Sequence, residues 1–194
     1  MDDFGQTLYH LSEDPGITRF LPRPSTNTSV SGSVVWAVDE VHLRNYLLPR
    51  DCPRVCFCPV SSSTAEDVEC LMRGGDASAV VAIESRWYER SRLAKLVRYD
   101  LPSDGFECVD IGAGYFVSRE EVAPVRTVTI DDPLGELARR NVELRVLPSL
   151  WELRDRVIAS TLQFSIIRWR NAAPRIAPGA SARDTKFRAK RYAP

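Results

Sequence analysis

The sequence predicts an α+β domain with a mixed β-sheet, twisted or split, and flanking helices. Three observations predict it. Short apolar, β-branched runs and amphipathic stretches intermix along the chain without strict strand–helix alternation, which sets aside a doubly wound parallel sheet. A chain of 194 residues suits one domain with a tail better than two full domains. Hydrophobic residues at 44% and charged residues at 27% support a core of useful size and exclude global disorder.

The elements follow in order. Residues 6–12 (QTLYHLS) read as a short strand. Residues 12–33 are a polar loop holding Arg19, Arg23 and three prolines, a length at which loops usually carry function. Residues 34–38 (VVWAV) are a strand. Asp39 then caps a helix over 39–48, with Leu43, Tyr46 and Leu47 at helical spacing. Pro49 stops it and Pro53 reinforces the stop. Residues 54–60 are a strand, and 63–73 a helix opened by a capping box from Ser63 to Glu66. An apolar strand over 78–84 and a helix over 86–97 come next. Residues 106–110 and 114–118 form a hairpin around IGAG. A strand over 124–130 leads to a short helix, 133–141, ended by Asn141. Residues 142–147 (VELRVL) are a strand. A helix over 149–159 puts Leu150, Leu153 and Val157 on one face, and 163–171 (QFSIIRWRN) reads as a last helix.

Charge divides the chain into a body, 1–171, and a tail, 172–194. Lys+Arg and Asp+Glu both number 26, so the whole is neutral, which argues against a nucleic-acid or membrane surface spread over the entire protein. The tail carries six basic residues and one acidic, net +5, and is rich in Pro and Ala, so the body is −5. A solvated arm is expected, with contact to RNA or an acidic partner as its functional alternative. Of the 26 basic residues, 23 are Arg, whose planar fork suits phosphates and carboxylates.

Five cysteines, an acidic N-terminus without an apolar core and no run near 18–20 apolar residues lead to the expectation of a cytoplasmic protein with reduced thiols. The spacing Cys52-x3-Cys56-x-Cys58 does not match a zinc site, so buried structural cysteines and no metal are expected. GxGxxG, the P-loop, HExxH and GxSxG are absent, and only His10 and His42 could serve as imidazole catalysts.

Four clusters could carry chemistry. His10 and Ser12 share one face of the first strand and lead into Arg19 and Arg23. Arg50 and Arg54 sit in a proline-stiffened turn after Tyr46, suited to clamping an anion. Glu143 and Arg145 share a face of the VELRVL strand, as a held catalytic carboxylate or a surface pair. Arg168 and Asn171 share a face of the last helix.

The strings LYHLSEDPGITRFLPRP, VVWAVDEVHLRNYLLPRDCPRV, GYFVS, VELRVLPSLW and FSIIRWRNA resemble a bacterial family with no established activity, over residues 7–174. The run Tyr9-His10-Leu11-Ser12, an Arg-bearing loop, a strand, a helix and a late strand with Glu143 also resemble the ADP-ribosyltransferase-like fold. That resemblance implies an NAD- or nucleotide-using transferase, moving ADP-ribose or an RNA 2′-phosphate. It implies that His10 and Ser12 hold a ribose, that Tyr46 or Tyr115 supports the nicotinamide, and that Glu143 steadies the ribosyl cation. Arg19, Arg23, Arg50, Arg54, Arg145 and Arg168 are the expected cofactor-binding arginines. Leu11 stands where many members carry Gly. The alternatives are a non-enzymatic nucleotide- or RNA-binding module, or a small-molecule tailoring enzyme on the same fold.

Overall fold

The computed structural model describes residues 7–25, 27, 29–72 and 76–175. Among these described residues, eleven strands and four α-helices form a mixed α+β architecture on two sheets. The larger sheet is antiparallel throughout, in the order β7 (Glu107–Asp110), β8 (Tyr115–Ser118), β3 (Ser33–Val38), β1 (Leu8–Ser12), β6 (Leu96–Leu101) and β9 (Arg126–Ile130). The short β2 (Arg23–Pro24) pairs with the start of β3. The smaller sheet runs β10 (Val142–Leu147), β5 (Ala79–Glu84), β4 (Arg54–Cys58) and β11 (Gln163–Ile167), with only β10 and β5 parallel.

Alternation along the strands sorts the core into layers. Cys56, Cys58, Val81 and Ile83 of the smaller sheet face Leu11 and Ile130 of the larger one, with Leu47, Leu48 and Leu137 filling between them. Val55, Phe57, Val80 and Ala82 turn the other way, onto α1 (Ala65–Met72) and α4 (Trp151–Ile158). The outer face of the larger sheet, built from Leu8, Val35, Ala37, Val97, Tyr99 and Leu101, is covered by Phe20 and Val122. Those two residues pair with each other across two loops.

Several elements differ from the sequence expectation. The helix expected over 39–48 is a single 3-10 turn, Leu43–Tyr46. Its helical carbonyls are drawn off by Arg54, whose guanidinium takes the Asn45 and Pro49 oxygens. The helix expected over 86–97 is only a 3-10 turn and α2 (Tyr88–Arg92), because residues 96–101 pair with β1 and β9 as β6. The last helix is instead β11 and a 3-10 turn, Trp169–Asn171, since five residues of this segment pair with β4. The capping box sits one residue later, where the Thr64 hydroxyl accepts from Asp67 N and donates to its carboxylate. The hairpin, α3 (Pro133–Arg139) and β10 lie where expected, and Asn141 takes the left-handed conformation, φ 55°, that closes a helix.

The tail from residue 176 lies outside the described residues. Before it, Ala173 and Arg175 are held to the body: Trp151 Nε1 donates to Ala173 O, Ala173 N donates to the buried Glu84 carboxylate, and Arg175 pairs with Asp155.

Candidate functional site

β1 places His10 and Ser12 on the outer face of the larger sheet, beside Tyr99 and Val97 of β6. The His10 ring lies 4.7 Å from Phe20 and donates from Nδ1 to Trp36 O at 2.9 Å. A carbonyl only accepts, so that bond fixes the proton on Nδ1 and leaves Nε2 as the lone-pair nitrogen. Burial holds the imidazole below its usual value, and the Arg50 and Arg23 charges push the same way. His10 is therefore a neutral acceptor at neutral pH. The Ser12 hydroxyl accepts from Asp14 N, leaving its proton to donate.

The turn after Pro49 docks at the end of β1. Arg50 N donates to the Glu13 carboxylate, one residue beyond Ser12. The Arg50 carbonyl receives Arg54 Nη2 and Arg168 Nε, both at 3.2 Å. Arg168 takes a left-handed backbone, φ 53°, at the end of β11, and Asn171 Nδ2 ties the same turn through Asp51 O. Arg23 and Arg50 thus stand near enough to His10 to act on its charge, and Arg168 and Ser12 join this corner only through the Arg50 carbonyl and the neighbouring Glu13, so that four stretches of sequence meet there. Among the described residues no carboxylate pairs with the guanidinium of Arg23, Arg50 or Arg168, whereas eleven other arginines do find one. The Glu13 carboxylate, shared between Arg50 N and Arg90, is the acidic group at this corner, and it leaves the three guanidiniums without an ion pair of their own.

Other expected site residues are engaged elsewhere. Arg54 is 1% exposed and spends its donors on the carbonyls of Cys52, Asn45, Pro49 and Arg50, so it builds the turn and does not reach a ligand. Glu143 is clasped by Arg145 at both oxygens, 2.8 and 3.0 Å. Both side chains lie on the α1 face of the smaller sheet, where Arg145 also donates to Leu71 O and stacks on Phe57. His10 is on the outer face of the other sheet, so Glu143 and Arg145 share no cleft with it. Arg19 pairs with Glu121 at the surface. Tyr46 donates to the Tyr115 hydroxyl at 2.8 Å, and Tyr115 packs edge-on against the Trp36 side chain, which lies on the face of the larger sheet opposite His10, so neither tyrosine shares a face with His10.

A second constellation lies on the other side of the Leu43–Tyr46 turn. His42 Nδ1 donates to Asp39 Oδ1 at 2.8 Å, and the same oxygen accepts from His42 N. Gly114, φ 65°, lies so close that any side chain there would overlap the His42 ring. The pair adjoins a recess of about 10 Å³, room for roughly one water, lined also by Arg44, Cys58 and Gln163. The sequence carried one signal for it: an Asp and a His three residues apart where a helix cap was expected. Among the described residues no group of three or more His, Cys, Asp or Glu side chains is placed to hold a metal. No helix among them is long and apolar enough to cross a membrane.

The model of a family of unknown function, DUF6886, matches residues 9–172, a span that holds every residue of both constellations. No curated protein matches the chain, and no solved structure does.

Proposed function

As the chain belongs to DUF6886, a family of unknown function, we propose its role from geometry: it binds a phosphate-bearing nucleotide of the NAD class at the His10–Arg50 corner. The carrying observation is the set of guanidiniums at Arg23, Arg50 and Arg168, unmatched by any carboxylate among the described residues, beside an imidazole whose Nδ1 proton is committed to Trp36 O and whose Nε2 is left as an acceptor. Arginine forks suit the phosphate oxygens. A neutral imidazole cannot donate from Nε2, so it suits a ribose hydroxyl better than a phosphate. Ser12 lies on the same strand face with a proton to give.

The ADP-ribosyltransferase-like reading rests on the Tyr9-His10-Leu11-Ser12 motif and on this corner. It loses its expected carboxylate, because Glu143 is neutralised by Arg145 on a remote face. Stabilising a ribosyl cation needs such a group close by. Gripping a phosphate, as the resemblance to RNA 2′-phosphotransferases implies, needs only the arginines, with the neutral imidazole left to accept from a neighbouring ribose hydroxyl. Binding is therefore the primary function proposed, and transfer of a phosphate-bearing group its catalytic form. A thermal-shift screen with NAD, ADP-ribose and pyrophosphate tests binding. Release of nicotinamide from NAD separates a transferase from a binding module.

A further inference from the structure

Cys58 closes β4 and faces the inter-sheet layer next to the recess of His42, Arg44 and Gln163. Arg44 Nη2 points at its sulfur from 3.1 Å, and Gln163 Oε1 lies 3.9 Å from it. Arg44 Nε is buried and has no hydrogen-bond partner among the described residues. His42 is 8% exposed, with Nδ1 committed to Asp39 and its ring at the recess wall. A thiol, a guanidinium with an unsatisfied donor and an imidazole fixed by Asp39 thus line a recess that opens to solvent and has room for one water, or for one oxygen of a small molecule entering from outside.

We propose that Cys58 is a peroxide-reactive thiol, with Arg44 holding the departing oxygen and the Asp39–His42 pair shaping the recess. In the step, Sγ attacks one oxygen of hydrogen peroxide. The S–O bond forms as the O–O bond breaks. Sulfur is oxidised by two electrons to sulfenic acid, and the peroxide is reduced to water, its departing oxygen taking up the thiol proton. The Arg44 guanidinium, 3.1 Å from the sulfur, is the cation beside which that oxygen would carry its negative charge before protonation, and a thiol next to an arginine is one setting of reactive cysteines. The other thiols lack the combination. Burial pushes Cys52 up to about 11 and Cys56 up to about 12, which keeps both as inert thiols. Cys108 and Cys70 are exposed, and Cys70 lies beside Arg156.

The test treats the reduced full chain with hydrogen peroxide, traps sulfenic acid with a dimedone-type reagent, and reads each cysteine by peptide mass spectrometry over time. The expected result is Cys58 labelled at least tenfold faster than Cys108 and ahead of Cys70. Arg44→Leu should slow Cys58 at least tenfold and leave Cys108 unchanged, while Arg44→Lys, which keeps a donor and the charge, restores part of the rate. Labelling led by Cys70 or Cys108 in the parent overturns the proposal without any variant. So does an Arg44→Leu protein of parental melting temperature that labels Cys58 at the parental rate.

Discussion

The Arg145 guanidinium holds the Glu143 carboxylate through two parallel hydrogen bonds, on the face of the smaller sheet turned away from His10. This bidentate pair explains why a glutamate set cleanly in an apolar strand is not a ligand group. The pair is about one-third exposed, so water screens it. Glu143→Gln should cost under about 1 kcal/mol in urea unfolding. It should leave nucleotide-induced thermal shifts unchanged. A lost shift at parental stability would return Glu143 to the binding site.

Arg54 carries the opposite expectation. Its buried guanidinium satisfies four carbonyls of the 45–52 segment. Arg54→Leu removes the desolvation cost of the charge but strands those oxygens, each worth about 1–3 kcal/mol. A net loss of about 2–4 kcal/mol is expected from denaturant unfolding, and a loss below about 1 kcal/mol would contradict the role. The variant should also weaken nucleotide binding, since the Arg50 carbonyl is one of the four.

Two glycines with positive φ separate backbone strain from steric overlap. At Gly105, φ 77°, a Cβ would meet nothing closer than 3.9 Å, so Gly105→Ala should cost about 1–2 kcal/mol from conformation alone. At Gly114 a Cβ overlaps both His42 and Asp39. Gly114→Ala should cost clearly more and should slow peroxide labelling of Cys58. Equal losses for the two variants would show that the His42 ring moves aside freely.

His10 sets a pH dependence. Its folded value lies below the usual 6.5, mainly through burial, so the unfolded chain takes up the proton at a higher pH. Stability from this group is fully present above about 6.5 and is lost as pH falls through the window between 6.5 and the lower folded value. Urea unfolding from pH 7.5 down to 5 should show a steeper loss for the parent than for His10→Gln. Identical slopes would mean that the ring is solvated when folded.

The tail expectation is testable from its anchored start. Truncation after Arg175 keeps the contacts of Ala173 and Arg175 and should leave the melting temperature within a few degrees. Truncation after Asn171 removes the Ala173 N–H from the fully buried Glu84 carboxylate, and should lower it further, since an unmet buried charge is costly. Matching midpoints for the two truncations would show that Arg86 alone satisfies Glu84.

What was legible in the sequence follows from where local pattern and tertiary pairing agree. VVWAV, SAVVAIE and VELRVL are β-branched runs bounded by turn residues, and each is a strand. Pro133 marks the start of α3, and the cap is Asp132, whose Oδ1 accepts from Gly135 N in the first turn. β6 was hidden because Leu93 to Val97 continues the apolar spacing of α2 with no Gly or Pro between them, and only pairing with β1 and β9 makes it extended. β11 was hidden likewise, its helix-like pattern overridden by five pairs to β4. The corner at His10 was half legible. His10, Ser12, Arg23 and Arg50 carry local signals. Arg168 meets the Arg50 carbonyl across 118 residues, which no spacing rule encodes. Arg54 was misassigned because an arginine two residues from another reads as a clamp until its burial is known.

The most direct measurement is a calorimetric titration of ADP-ribose into the parent chain and into Arg50→Leu at neutral pH and low salt. Arg50 offers an exposed guanidinium that pairs with no carboxylate among the described residues, so its removal should spare the fold, unlike that of Arg54. The account predicts saturable binding by the parent, with affinity reduced at least tenfold in the variant, about 1.4 kcal/mol or more. No binding by the parent, or equal affinity in the two proteins, would contradict a nucleotide site at the His10–Arg50 corner.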